Sequence, residues 1–426
     1  MELCKIISGE MYFYFDGAFT VMRKELSLDE PVNGQILSGA LKKTCMVHPY
    51  LSWTVREKDG DFYFEDTKRP ATLINGTDNA DLGSPETDMH LAAVIYHENR
   101  ICLDLYHGLL DGVAAKRVLE TLLYFYFSEK DNVEYDAPDV MTDIVPDASE
   151  LFKEPFENRI VDDKDPWVDE DSEPGEIFRF SEYEEASSED HYQRIGIPSD
   201  DFMKFVKENE ATPASALSVL ICHAIEELYP ENKKTIKINI PINLRGALSC
   251  EQSFRNTTGD VPLYFDPSMI SSMEIKEQCG MLRKALKESL RPEKQRRIAA
   301  SQMDFLEMTS QYKDYASRYR FYSSIPVPPS DSVFISYIGR FNGGSYVEHI
   351  RDASLISGAR DGIVFNIYDC GGKFHVSVIK KGPIEAFTRA FLKVLRAVGV
   401  SAESSSETGF KLHYIPLREN LGLDFK

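Results

Sequence analysis

The stretch LDLYHGLLDGVAAKRVLETLLYFYF, Leu103 to Phe127, carries two periodicities in immediate succession. Its start reads as an apolar strand. From Ala115 onward, Ala115, Val118, Leu119, Leu122, Leu123 and Tyr126 recur at helical spacing, which predicts a helix with one buried face. A strand that runs straight into such a helix needs a layered architecture to cover both apolar surfaces. His107, Gly108, Asp111 and Gly112 sit between the two elements. Gly108 lets the backbone turn without a side chain, and Asp111 can cap the helix that begins at Gly112. His107 lies outside that helix, where it can point into a cleft between layers. Its unperturbed pKa near ~6.5 suits a general base. On these residues alone, a capped helix with an incidental histidine is the competing explanation.

Other segments extend the layered pattern. Asn33 to Val47 has a helical apolar face, ended by His48-Pro49. MYFYFD reads as a strand, and LSWTVRE with DFYFED as a hairpin turning at Lys58-Asp59-Gly60. HLAAVIYHENRICLDLYH reads as a strand pair turning at Glu98-Asn99. In the second half, IFRFSEY, YQRIGIP, KKTIKINIP, GDVPLYFD, SVFISYIG, GIVFNIYD, KFHVSVIK and FKLHYIP read as strands. A helix from Pro213 to Leu228 is apolar nearly all round, so it belongs inside the fold. Two helices are expected between Met273 and Tyr319, and one more from Pro383. The class this predicts is α+β, with two halves, each a mixed or antiparallel sheet covered by helices.

Charge divides the chain. The net charge is −21 over 426 residues, which argues against nucleic acid or an anionic membrane as partner. Between Glu129 and Asp190 there are 23 acidic and 5 basic residues, so nearly all the excess lies there. This segment reads as a solvated crossover between two lobes. The expected division is a first lobe at 1–165, an acidic segment at 129–190 and a second lobe at 177–426. Within it, DKDPWVDEDSEPGE does not space its oxygens as a calcium loop requires, so no metal site is expected. The seven cysteines are scattered and mostly in apolar runs, as core residues of a reducing cytosol are. No apolar run is long enough for a membrane span, and MELCKIISGEMYFYFDG has no signal-peptide pattern. The expected location is cytoplasmic. G-x-S-x-G, H-E-x-x-H, C-x-x-C and phosphate-loop motifs are absent.

YHGLLDG, Tyr106 to Gly112, resembles the H-x-x-x-D-G signature of one acyltransferase superfamily. That superfamily includes chloramphenicol acetyltransferase, condensation domains of nonribosomal peptide synthetases, and alcohol acetyltransferases. The order of parts is also similar. HPYL follows the first helix, and REKDGDFYF forms a hairpin. TPASALSVLICHAIEELYP looks like the buried helix, and IKINIPINLRGAL like the strand ending in an arginine, Arg245. RNTTGDV resembles the Asn-then-Gly segment, here Asn256 and Gly259. ISYIGRF resembles a later S-N-x-G strand, with Ser336 kept and Tyr337 in place of asparagine.

The resemblance implies two chloramphenicol-acetyltransferase-like lobes with a tunnel between them. It implies His107 as catalytic base, Asp111 turned away from substrate and paired with Arg245, and room for substrate and backbone at Gly108 and Gly112. Tyr106, Asn256, Ser336 and Tyr337 become candidate substrate contacts. Ser336 or a backbone N–H near Gly112 becomes the candidate oxyanion donor. Condensation domains typically carry two consecutive histidines, and Tyr106 replaces the first here, as in stand-alone transferases. The activity implied is acyl transfer from acyl-CoA, as co-substrate, to a hydroxyl or amine of a small acceptor. No metal and no permanently bound cofactor is called for, and a monomer can hold a complete site. A carrier-protein-dependent enzyme and a non-catalytic binding protein are the alternatives.

Overall fold

A computed structural model describes residues 4–15, 20–144, 148–156, 175–185, 187–324, 331–359, 362–410 and 419. Much of the acidic segment 129–190, nearly all of DKDPWVDEDSEPGE, and FKLHYIP beyond Phe410 lie outside the described residues.

Two large sheets organise the described residues. The first has five strands in the order Ile350–Ser357, Val21–Leu28, Arg100–Tyr106, Ala92–His97 and Thr72–Asn75. All neighbours are antiparallel except the last pair. Helices Gly34–Val47 and Gly112–Asp131 bury their apolar faces in its core. The N-caps follow the expected chemistry. Asn33 Oδ1 accepts from the N–H groups of Gln35 and Ile36, and Asp111 Oδ1 from those of Val113 and Ala114. Trp53–Lys58 and Asp61–Asp66 form the predicted hairpin, joined by Cys4–Lys5 in a small third sheet.

The second sheet runs Thr258–Phe265, Ile236–Asn243, Val333–Arg340, Ile363–Cys370, Lys373–Lys381, Asp190–Pro198 and Glu403–Ser404, with Thr408–Phe410 also pairing to Asp190–Pro198. It is mixed, because Val333–Arg340 is parallel to both neighbours. Helix Pro213–Leu228 is buried behind it between Ile275–Ser289 and Glu385–Ala397. The fold is therefore α+β with two sheet-and-helix lobes, each with its own hydrophobic core. Among the described residues, no helix is long and apolar enough to cross a membrane. All seven cysteines are free thiols, and five of them are buried.

Several local expectations fail for identifiable reasons. The described part of MYFYFD, residues 11–15, is no strand: Glu10–Phe13 is a single 3-10 turn whose aromatic rings pack into the first core. IFRFSEY contributes one bridge, at Ile177, and a 3-10 turn at Phe180–Glu182. The two helices expected between Met273 and Tyr319 are Ile275–Ser289 and Pro292–Ser310, and an unexpected third, Tyr315–Ser324, starts inside that span and runs past it.

Two strands escape a reading by alternation, because charged residues interrupt them. Val21–Leu28 carries Arg23, Lys24 and Glu25 in succession. Arg23 is buried against Asp104 on the next strand, at 2.7 Å. Ile350–Ser357 opens with Arg351 and Asp352. This strand comes from the second half of the chain yet pairs along Val21–Leu28 in the first sheet. Ala353 and Leu355 join the first core. The sheets are thus not divided where the sequence is.

Lys24 adds a second tie between the lobes. It is fully buried, and its Nζ donates to the hydroxyl of Tyr368, on Ile363–Cys370 of the second sheet, at 2.8 Å. Burial lowers its pKa from 10.5 to about 7, against the pull of Asp111 and Glu120. A base with a depressed folded pKa loses stability as pH falls from its unfolded value to its folded one, here from 10.5 to about 7. Lys24→Met removes this pH dependence and leaves the Tyr368 hydroxyl without its donor, so the stability difference between variant and wild type is expected to shift in the variant's favour on going from pH 10 to pH 7. Thermal melts at both pH values check this, and a difference that does not change with pH would contradict it.

Candidate active site

A cavity of about 660 Å³ opens between the lobes. The first lobe contributes Met22, Leu355, His107 and the turn from Ser8 to Tyr12. The second contributes a sheet face that includes Asn243, Thr258, Ser336 and Asn366. Helix Pro292–Ser310 closes one side with Ser301, Gln302, Phe305 and Leu306, which fall on one face at helical spacing.

His107 follows directly on strand Arg100–Tyr106 and is half-buried. Its backbone N–H donates to the carbonyl of Thr20 at 2.7 Å. Tyr12 stacks on its ring, with centroids 4.3 Å apart and planes within 6°. Asn256 Nδ2 lies 3.1 Å from His107 Nδ1. The turn that carries Tyr12 is itself held by Glu154, whose carboxylate accepts from the N–H groups of Ile7 and Ser8 at 3.2 and 3.0 Å.

Asp111 and Arg245 form a buried bidentate pair across the lobes, at 2.8 and 3.0 Å. Neither side chain is more than 2% exposed. Burial opposes the charge on Asp111. Arg245 and the N–H groups of Ala114 and Thr257 outweigh it, and hold the carboxyl below its usual 3.8. That stabilisation is complete above pH 3.8 and is lost as pH falls through the lower folded value.

Gly108 does not make room for substrate. A Cβ there would sit 2.8 Å from the ring of Phe13, so this glycine is required by packing. Gly112 lines the cavity, and a Cβ there would meet Ile338 at 3.3 Å. Tyr106 is not at the cavity either. It is 2% exposed, stacks on Phe13 and donates to the carbonyl of Tyr12 at 2.6 Å. His107, Asp111, Gly112, Asn256, Ser336 and Tyr337 all line the cavity, while Arg245 lies behind Asp111. Burial pushes the Tyr337 phenol up to about 12, so it is a neutral hydroxyl. Sequence reasoning missed Tyr12, hidden in an aromatic run that mimics a strand, and Glu154, one carboxylate within an acidic segment. It also missed Asn243 and Thr257. Asn243 Oδ1 accepts from Arg245, and Thr257 N–H donates to Asp111.

No family model and no curated protein matches the sequence. Solved structures do match in fold. Fusarium graminearum TRI101 complexed with coenzyme A and deoxynivalenol aligns over 94% of this chain and 100% of its own, at 9% identity and a TM-score of 0.60. TRI3 trichothecene 15-O-acetyltransferase from Fusarium sporotrichioides aligns over 92% and 94%, at 10% identity and a TM-score of 0.60. The epimerization domain from the third module of tyrocidine synthetase B aligns over 93% and 98%, at 11% identity and a TM-score of 0.58. The chain thus shares the two-lobed fold of these solved structures.

Gly108→Ala is expected to lower stability by about 1–3 kcal/mol, the usual cost of overpacking. Denaturant unfolding measures it, and an unchanged midpoint would contradict the packing role.

Proposed function

We propose that this protein transfers an acyl group from acyl-CoA to a hydroxyl or amine of a small acceptor, with His107 as general base. The observation that carries the reading is a half-buried histidine at an inter-lobe cavity, braced by both lobes. The acceptor proton passes to His107 as the acceptor attacks the thioester carbonyl. The tetrahedral oxyanion needs a donor, and the Ser336 hydroxyl or a backbone N–H near Gly112 is the candidate. The imidazolium then returns its proton to the departing CoA thiolate. Asp111 takes no proton. Through Arg245 it fixes the loop that carries His107.

The described lining residues include no lysine or arginine. An acyl-pantetheine arm, built of amides, methylenes and a thioester, suits such a lining. The nucleotide phosphates would remain outside it. Apolar walls at Met22, Phe305, Leu306 and Leu355 suit a largely apolar acyl chain or acceptor. The reading implies a monomer-sufficient site and a reducing, cytoplasmic setting. The likeness to an epimerization domain favours a second reading, in which a carrier protein delivers the acyl group.

The test is thiol release from a series of acyl-CoA donors with small alcohols and amines, for wild type and His107→Ala. Loss of about 10²–10⁴-fold in acceptor-dependent release, with Tm little changed, is expected. Equal release by both proteins would refute the base. Turnover only with carrier-bound donors would select the second reading.

A further inference from the structure

Strand Ile350–Ser357 is an edge of the first sheet, so one row of its backbone groups has no strand to pair with. Side chains of the second sheet meet that row. The Leu355 N–H donates to Ser377 Oγ at 3.2 Å, and the Leu355 carbonyl accepts from Asn366 Nδ2 at 3.1 Å. A carbonyl can only accept, so the donating end of the Asn366 amide is fixed toward Leu355. The accepting end, Oδ1, is left over. It takes no hydrogen bond from the described residues. Asn366 is 3% exposed and lines the cavity, and Oδ1 is not among the sealed-off polar atoms. What access that oxygen has is therefore from the cavity. The wall around it is apolar at Met22, Leu355, Phe334 and Val364. A ligand that displaces water from Oδ1 without replacing the hydrogen bond binds more weakly for it.

Ser336 is the partner of Asn366 across the parallel strand pair, so the two side chains stand side by side on one face. Ser336 also lines the cavity, and its hydroxyl makes no hydrogen bond with the described residues. The pair thus offers one acceptor and one donor next to each other. A trans amide, such as those of a pantetheine arm, points its N–H and its carbonyl to opposite sides and cannot meet both. A hydroxyl can, since it donates to Oδ1 and accepts from Ser336.

We infer that Asn366, with Ser336, binds a second, unreacting hydroxyl of the acceptor, which is therefore a molecule with two polar groups on an apolar skeleton rather than a simple alcohol or amine. This deepens the transfer reading above, rests on it, and leaves the oxyanion to a backbone N–H near Gly112. The spacing suits one small molecule. Ser357, two residues beyond Leu355, pairs with Met22, and the Thr20 carbonyl that holds the His107 N–H lies two residues before Met22, roughly 7 Å along the chain.

The test compares primary alcohols from butanol to octanol with the terminal diols of the same lengths. Ligand-observed NMR titrations of the wild type give Kd, and thiol release from acetyl-CoA gives kcat/KM. An apolar pocket without the pair would favour the mono-alcohol, because the extra hydroxyl must leave water. The diol of best length is instead expected to bind and react about 10–100-fold better than its mono-alcohol. Asn366→Leu is expected to bring that ratio to one or below. Absence of any diol preference in the wild type overturns the inference. So does a ratio that Asn366→Leu leaves unchanged while slowing every acceptor alike, which would make Asn366 a brace for Leu355. If Asn366→Leu does not fold, the wild-type Kd series decides by itself. Diol-selective binding without thiol release upholds the subsite and counts against the acyl-CoA reading, whereas thiol release without diol selectivity does the reverse.

Discussion

Asp111 and Arg245 are two opposite charges taken out of water at the seam between two lobes, and their burial sets the conditions for the rest of the site. Removing such groups from solvent costs several kcal/mol each unless nearly every lone pair and N–H finds a partner. Here they do. Asp111 accepts from Val113, Ala114 and Thr257 as well as from Arg245. Arg245 donates to the carbonyls of Ser253 and Arg255 and to Asn243 Oδ1. One aspartate therefore caps the helix after the motif and ties it to the second lobe. The histidine loop lies between that cap and strand Arg100–Tyr106, so its position follows from both.

The remaining seam is built with similar economy of polar groups. Strand Ile350–Ser357 crosses from the second half into the first sheet. Lys24 reaches the Tyr368 hydroxyl, and Lys116 bonds both Glu120 and the carbonyl of Arg340. Glu120 in turn accepts from the N–H of Asn342. Such groups specify one register between lobes, because any slip would leave them buried and unpartnered. Tyr12, Thr20, Asn256 and Glu154, from four separate segments, then fix His107 and the turn above it.

What could be read from the sequence follows the physics of each signal. Helices Gly34–Val47, Gly112–Asp131 and Pro213–Leu228 were legible, because apolar periodicity and side-chain caps are local. So were the hairpins at Gly60 and Asn99. His107, Asp111 and Arg245 were legible through motif spacing and order. Strands Val21–Leu28 and Ile350–Ser357 were not: the buried Arg23 and Lys24 of the first make sense only beside Asp104 and Tyr368, and Asp352 of the second only beside Arg194 and His375 of the other sheet, all far away in the chain. The aromatic run at residues 11–15 misled for the opposite reason: it is buried by turning rather than by pairing. Gly108 looked like space for a ligand, and only the Phe13 ring shows what fills that space.

The most direct measurement is a double-mutant cycle on the seam, with unfolding free energies of Asp111→Ala, Arg245→Ala and the double variant. If the pair joins the lobes as described, each single change should cost about 3–5 kcal/mol. The double variant should then lose about 1–3 kcal/mol less than the sum of the two single losses. Strictly additive losses would mean that the two residues act independently, and the account of how His107 is held would fail.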